Sequence, residues 1–155
     1  MSRSARSART GVIAASAAAG ALLLAACSPT TTTLEYAPSD GARVEVTDQM
    51  MGHNLLVVSE GDGAPGTLLG ALSNDSAEDV VFALEAEGAA AVNVPVAAGE
   101  TVYLSTEDGL EALLDSVVSE AGSDLEASLT AGDTTAEFFL PVLDGTLPEY
   151  AEYLP

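Results

Sequence analysis

Asp79-Val-Val-Phe-Ala-Leu-Glu-Ala86, followed after one turn by Val92-Asn-Val-Pro-Val96, decides the fold of this chain. In the first stretch Val80, Phe82, Leu84 and Ala86 occupy alternate positions, with Glu85 opposed; in the second, Val92, Val94 and Val96 alternate with Asn93 and Pro95. A period of two puts the two sets on opposite faces of an extended chain, the mark of half-buried antiparallel strands. The same parity recurs downstream. Val102 and Leu104 flank Tyr103, Leu125, Ala127 and Leu129 alternate with Glu126, Ser128 and Thr130, and Ala136, Phe138, Leu140 and Val142 complete the set. Turn residues separate the runs at Glu60-Gly-Asp-Gly63, Ser73-Asn-Asp-Ser76, Ala97-Ala-Gly-Glu100, Ala131-Gly-Asp133 and Asp144-Gly145. Short strands joined by polar turns predict an all-β fold, a single immunoglobulin-like antiparallel β-sandwich over residues 41–148, with 149–155 as a C-terminal tail. Pro95 and Pro141 lack a backbone donor and therefore belong at an edge, a bulge or a strand end.

One segment carries a different period. Leu110, Leu113, Leu114, Val117 and Val118 fall at helical spacing, with Asp108 and Glu111 placed as a capping pair and Gly122 as a stop. Local pattern alone favours a helix there. A buried helix is out of place in a small sandwich, however, so the expectation is a strand at about 110–114 followed by an irregular loop.

The charge distribution is lopsided. All 24 acidic residues lie at or after Glu35, whereas three of the four basic residues, Arg3, Arg6 and Arg9, precede it. Beyond the first 26 residues one cation, Arg43, faces those 24 carboxylates, a formal charge of −23. Such a surface repels phosphate backbones and anionic headgroups, which argues against nucleic-acid binding and against flat docking on a membrane. With four tyrosines, three phenylalanines and no tryptophan, the core must be built mainly from Val, Leu and Ala.

The N-terminus has the three parts of a secretory signal: the three arginines, an apolar run from Gly11 to Ala26, and small residues before a cysteine. The run falls short of the about 20 apolar residues that span a bilayer core. Leu24-Ala25-Ala26-Cys27 resembles the lipobox of bacterial lipoproteins, which implies cleavage of residues 1–26 and a diacylglyceryl, palmitate-bearing lipid on Cys27. The arginines are not paired, so the Sec route to the outer face of the cytoplasmic membrane is expected. Residues 27–40, rich in threonine with Pro29 and Pro38, read as a lipidated N-terminus and an extended flexible tether. Contact with the membrane is then through the lipid alone. The only cysteine is committed to it, which leaves no disulfide, thiolate nucleophile or Cys-based zinc site in the rest of the chain.

Asn54-Leu-Leu-Val-Val-Ser59, Gly66-Thr-Leu-Leu-Gly-Ala-Leu-Ser-Asn74, Asp79-Val-Val-Phe82, Val94-Pro-Val-Ala-Ala-Gly-Glu-Thr-Val102 and Pro141-Val-Leu-Asp-Gly145 together resemble acidic actinobacterial surface lipoproteins of the LpqE type. The resemblance covers nearly the whole chain after Cys27 and implies an extracellular, immunoglobulin-like β-sandwich. Some relatives of that type are grouped with periplasmic copper chaperones that use Met and His ligands from two parts of the domain. This chain has Met50, Met51 and His53 but no second histidine and no downstream His-x-Met.

Candidate chemistry is sparse. Met50, Met51 and His53 are the one cluster of soft ligands, a donor set suited to Cu(I). Strand parity would place Met51 and His53 on one face and Met50 on the other unless Gly52 introduces a bulge. The acidic groups Glu60/Asp62, Asp75/Glu78/Asp79 and Glu107/Asp108/Glu111 offer oxygen ligands without the spacing of a calcium loop. Tyr103, Tyr150 and Tyr153 could form a small aromatic patch for a partner or glycan. There is a single histidine, no lysine and no Gly-x-Ser-x-Gly, so an enzyme is not expected. No cofactor is expected apart from the covalent lipid. The function this implies is a membrane-anchored, extracytoplasmic interaction or accessory domain with a protein or cell-envelope partner; the alternative is a copper-binding chaperone.

Overall fold

In the computed structural model, which describes residues 39–155, alternation of apolar residues becomes two packed layers of strands. The strands are β1 (Ala42–Thr47), β2 (Met50–Ser59), β3 (Ala64–Asn74), β4 (Val80–Ala86), β5 (Val92–Val96), β6 (Glu100–Leu104), β7 (Leu113–Val117), β8 (Asp124–Ala131) and β9 (Thr134–Leu143), and a 3-10 turn spans Ala151–Tyr153. The signal segment 1–26 with its lipobox (Leu24, Ala25, Ala26, Cys27), and the tether up to residue 38, lie outside the described residues.

The second sheet runs β5-β4-β8-β9 and is antiparallel throughout. In the first, β2 and β3 form the central hairpin, with β6 and β7 both paired to β3 and β1 paired to β2. Strand β9 belongs to both layers. Its residues 134–141 pair with β8, and then Val142 and Leu143 run parallel to Val57 and Val58 of β2. The chain is thus an all-β sandwich, joined along one side by a strand that changes sheets.

Alternation fixes which side chains meet between the layers. Phe82, Leu84, Val94, Val96, Leu125, Leu129 and Leu140 from the second sheet are buried against Leu55, Val57, Leu68, Leu72, Leu104 and Leu114 from the first. Burying each such side chain is worth about 1.5–3 kcal/mol, and this core stands in for the absent disulfides. Pro95 sits on β5, the end strand of its sheet, and Pro141 at the handover of β9 from β8 to β2, so neither removes a needed donor from a central ladder.

Two bulges explain what simple alternation does not. In β2, His53 pairs with Ala71 and Leu56 with Leu69, so one extra residue is inserted beside Asn54, whose φ is 51°. Asn tolerates that left-handed conformation better than most residues. Opposite it, Gly70 has φ 128°, and a Cβ there would lie 2.7 Å from the carbonyl oxygens of both His53 and Asn54. Only glycine fits that site. The inserted residue moves the inward set from Met50 and Gly52 to Leu55 and Val57.

The second bulge accounts for the helical spacing in 110–118. The segment is a strand, but it covers 113–117 rather than the expected 110–114. Ala64 pairs with Val117 while Gly66 pairs with Leu114, three steps on β7 against two on β3. The extra residue lets Leu114 and Val117 both point inward at a separation of three, which imitates a helix in the sequence. Leu110, Leu113 and Val118, the rest of the imagined helical face, are exposed.

The C-terminal residues are not a loose tail. Tyr150, Tyr153 and Leu154, with Leu143, pack on Leu56, Val58 and Leu69, the outward residues of β2 and β3. A small second core therefore lies on the far side of the first sheet.

Candidate functional site

The pairing of β2 with β3 is unbroken from Met50 to His53, so Gly52 makes no bulge and parity holds there. Met50 packs against the core, on the side of Val44 and Val46. Met51 and His53 occupy the outer face of the first sheet. There the His53 Nε2 atom is 2.8 Å from Ser73 Oγ, and Arg43 Nη2 donates to Met51 Sδ at 3.9 Å. The three soft ligands therefore do not converge on one point. Tyr103, 59% exposed, shares this face: His53, Ala71 and Tyr103 lie in one row across β2, β3 and β6. Ser73 and His53 have the hydroxyl–imidazole contact of a nucleophilic pair, but no third group among the described residues orients the other ring nitrogen.

The acidic groups lie at turns and loops. Asn74, fully buried at the end of β3, organises the turn that contains Asp75, Glu78 and Asp79. Its Nδ2 donates to the carbonyl oxygens of Glu78 at 2.8 Å and of Val96 and Ala97 at 3.2 Å, and its Oδ1 accepts from the Ser76 amide and hydroxyl. Asp79 Oδ1 accepts from the Ala98 amide at 3.0 Å and ties the same turn to the β5–β6 connection. Glu60 and Asp62 flank the β2–β3 turn, where Gly61, Asp62 and Gly63 all have positive φ. Glu107, Asp108 and Glu111 are exposed around the β6–β7 loop. Among the described residues no three His, Cys, Asp or Glu side chains are grouped to hold a metal ion.

Tyr150 and Tyr153 lie in the small second core, with Tyr153 facing a shallow cleft formed with Thr67, Ser105, Thr106, Glu111 and Leu113. The Tyr150 hydroxyl donates to Asp40 Oδ2 at 2.7 Å, which links the C-terminal turn to the start of the domain. That bond, followed by burial and the nearby Asp40 and Glu149 charges, pushes the Tyr150 phenol up to about 12. A raised pKa favours the neutral phenol in the folded state, so the stabilisation is complete below an unfolded value of about 10 and is lost as pH rises through about 12. A phenolate absorbance titration should show one tyrosine ionising near 12, and Asp40→Ala should bring it down toward 10. An unchanged titration in the variant would show that Asp40 is not the cause.

The outer face of the second sheet was not among the sequence-derived candidates. Phe139 on β9 is its most exposed large apolar side chain, at 65%. Glu126 on β8 stands directly opposite, and Glu85, Ser128 and Glu137 form the next row across β4, β8 and β9. With Glu87 these residues line a shallow depression. The signal was present in the sequence as Phe138-Phe139, two adjacent aromatics in an alternating strand, one of which must point outward.

No family model and no curated protein matches the chain. Among the described residues no helix is long and apolar enough to cross a membrane.

Proposed function

We propose that the protein is an extracytoplasmic lipoprotein, anchored through diacylglycerol on Cys27, whose β-sandwich is a non-enzymatic interaction domain. The resemblance to acidic actinobacterial lipoproteins of the LpqE type belongs to the same reading. The observation that carries the interaction role is the pair of aromatic side chains presented outward by the two sheets, Tyr103 on the part of the first sheet's outer face beyond the C-terminal cover and Phe139 on the second, 59% and 65% exposed. A single large aromatic held outward on a rigid strand costs burial energy that a partner surface can recover, and aromatic anchors are the residues that binding interfaces favour. Separation of Met50 from Met51 and His53 supports this reading over copper handling, because it leaves two soft donors on that face, one in contact with the Ser73 hydroxyl and the other with the Arg43 guanidinium.

The anchor has its own expected result. Cys27 is the only cysteine, so Cys27→Ser should abolish incorporation of a fatty-acid analogue in metabolic labelling and release the protein from the membrane fraction. Equal labelling of both forms would remove the lipoprotein reading while leaving the fold intact.

A further inference from the structure

We infer that the outer face of the second sheet docks a cationic polypeptide segment that carries apolar side chains between its lysines or arginines, an inference that rests on the interaction-domain reading. Neighbouring strands lie about 4.8 Å apart, so Glu85 on β4 and Glu137 on β9, each one strand from Ser128 on β8, stand on the order of 10 Å apart. Glu126 is diagonal to both and opposite Phe139. All three carboxylates thus fall within reach of a single bound segment, with the exposed Phe139 ring at the same end of the face. Like charges at diagonal cross-strand positions are unfavourable on their own account. No basic side chain relieves them: among the described residues Arg43 is the only Lys or Arg, and it lies on β1 of the other sheet beside Met51.

Charge selects the occupant. A second copy would bring the same carboxylates against these and be repelled, as would nucleic acid or an anionic lipid surface. A metal ion alone would leave the Phe139 ring in water. A basic segment with interspersed apolar residues neutralises the glutamates and covers the ring, and a binder of that chemistry satisfies both features. Electrostatic attraction of this kind gives fast, salt-sensitive association, while the apolar contact sets selectivity among basic partners.

The test uses the purified full chain in a nonionic detergent, with two dye-labelled probes of equal charge followed by fluorescence anisotropy. One is a short peptide of alternating lysine and valine; the other replaces valine with serine. The lysine–valine peptide should bind about 10-fold tighter, and Phe139→Ser should abolish that difference. Glu85→Gln combined with Glu137→Gln should weaken both peptides by about 10-fold, whereas Tyr103→Ser on the other sheet should change neither. All four positions are exposed, and the urea midpoints of the variants should match that of the wild type, which separates binding from folding. Equal binding of the two peptides, no effect of Phe139→Ser, an equal effect of Tyr103→Ser, or no binding at all would each overturn the assignment. If it fails while a partner is captured from the Tyr103 face in cells, the interaction reading stands and only the basic-segment assignment falls.

Discussion

Replacing Asn74 with alanine is expected to destabilise the domain by about 3 kcal/mol, because each buried polar group left without a partner costs on the order of 1–3 kcal/mol. The substitution takes the donors from the carbonyls of Glu78, Val96 and Ala97 and the acceptor from the amide and hydroxyl of Ser76. Some of these groups lie close enough to the surface to recover water, which keeps the figure below the sum of all of them. Val96 is 1% exposed, and its carbonyl bond to Asn74 is itself buried, so that carbonyl is the costliest to strand. In urea the midpoint should fall with little change in slope, since the same surface is exposed on unfolding. Asn74→Asp should be no milder at neutral pH, because it sets a carboxylate against three carbonyl oxygens. A loss below about 1 kcal/mol would mean that the turn and the β5–β6 connection are held by something other than this amide.

Ending the chain at Glu149 should also cost about 3 kcal/mol, and with it roughly 10 °C in melting temperature. The truncation uncovers Leu56, Val58 and Leu69, which are 1%, 0% and 8% exposed in the intact domain, and deletes the hydroxyl that Tyr150 donates to Asp40. Only Leu143 would remain over that patch. The truncated protein should bind an apolar dye on the exposed face of β2 and β3 and associate at high concentration. A melting point within about 2 °C of the intact chain would show that the C-terminal turn contributes little to the cover it forms.

The alternation in β4, β5, β8 and β9 was legible because each of these strands faces the core on one side and solvent on the other, so period two is written directly in Val80, Phe82, Leu84 and Ala86. The far side of β2 was less so. Leu55-Leu-Val-Val58 is four apolar residues in a row, a pattern that calls for burial on both faces, yet what covers the second face lies about 90 residues away in Tyr150, Tyr153 and Leu154. Sequence carries the demand for cover without the identity of the cover. The 110–118 segment is a strand, as expected, but its bounds were not legible for a local reason: a β-bulge and a helix both place inward residues three apart, and only the register against Ala64 and Gly66 separates them.

The candidate sites divide in the same way. Parity correctly parted Met50 from Met51 and His53, since the bulge that could have joined them falls at Asn54, past the cluster, and not at Gly52. The contact between His53 and Ser73 depends on the cross-strand register of β2 and β3, which no local pattern fixes. The grouping of Glu85, Glu126 and Glu137 around Phe139 likewise needs the pairing of three strands. In one dimension these are scattered acids in a chain that has many.

The central claim, that this domain works by binding through an open sheet face while held at the membrane, is tested most directly in living cells with a photoreactive benzoylphenylalanine placed at position 139 or 103. Irradiation should join the protein carrying the probe at 139 to one discrete partner, cross-linked through a lysine- or arginine-rich segment, and Cys27→Ser should greatly reduce the yield. Adducts from neither position, or the same diffuse set of products from both, would contradict the account.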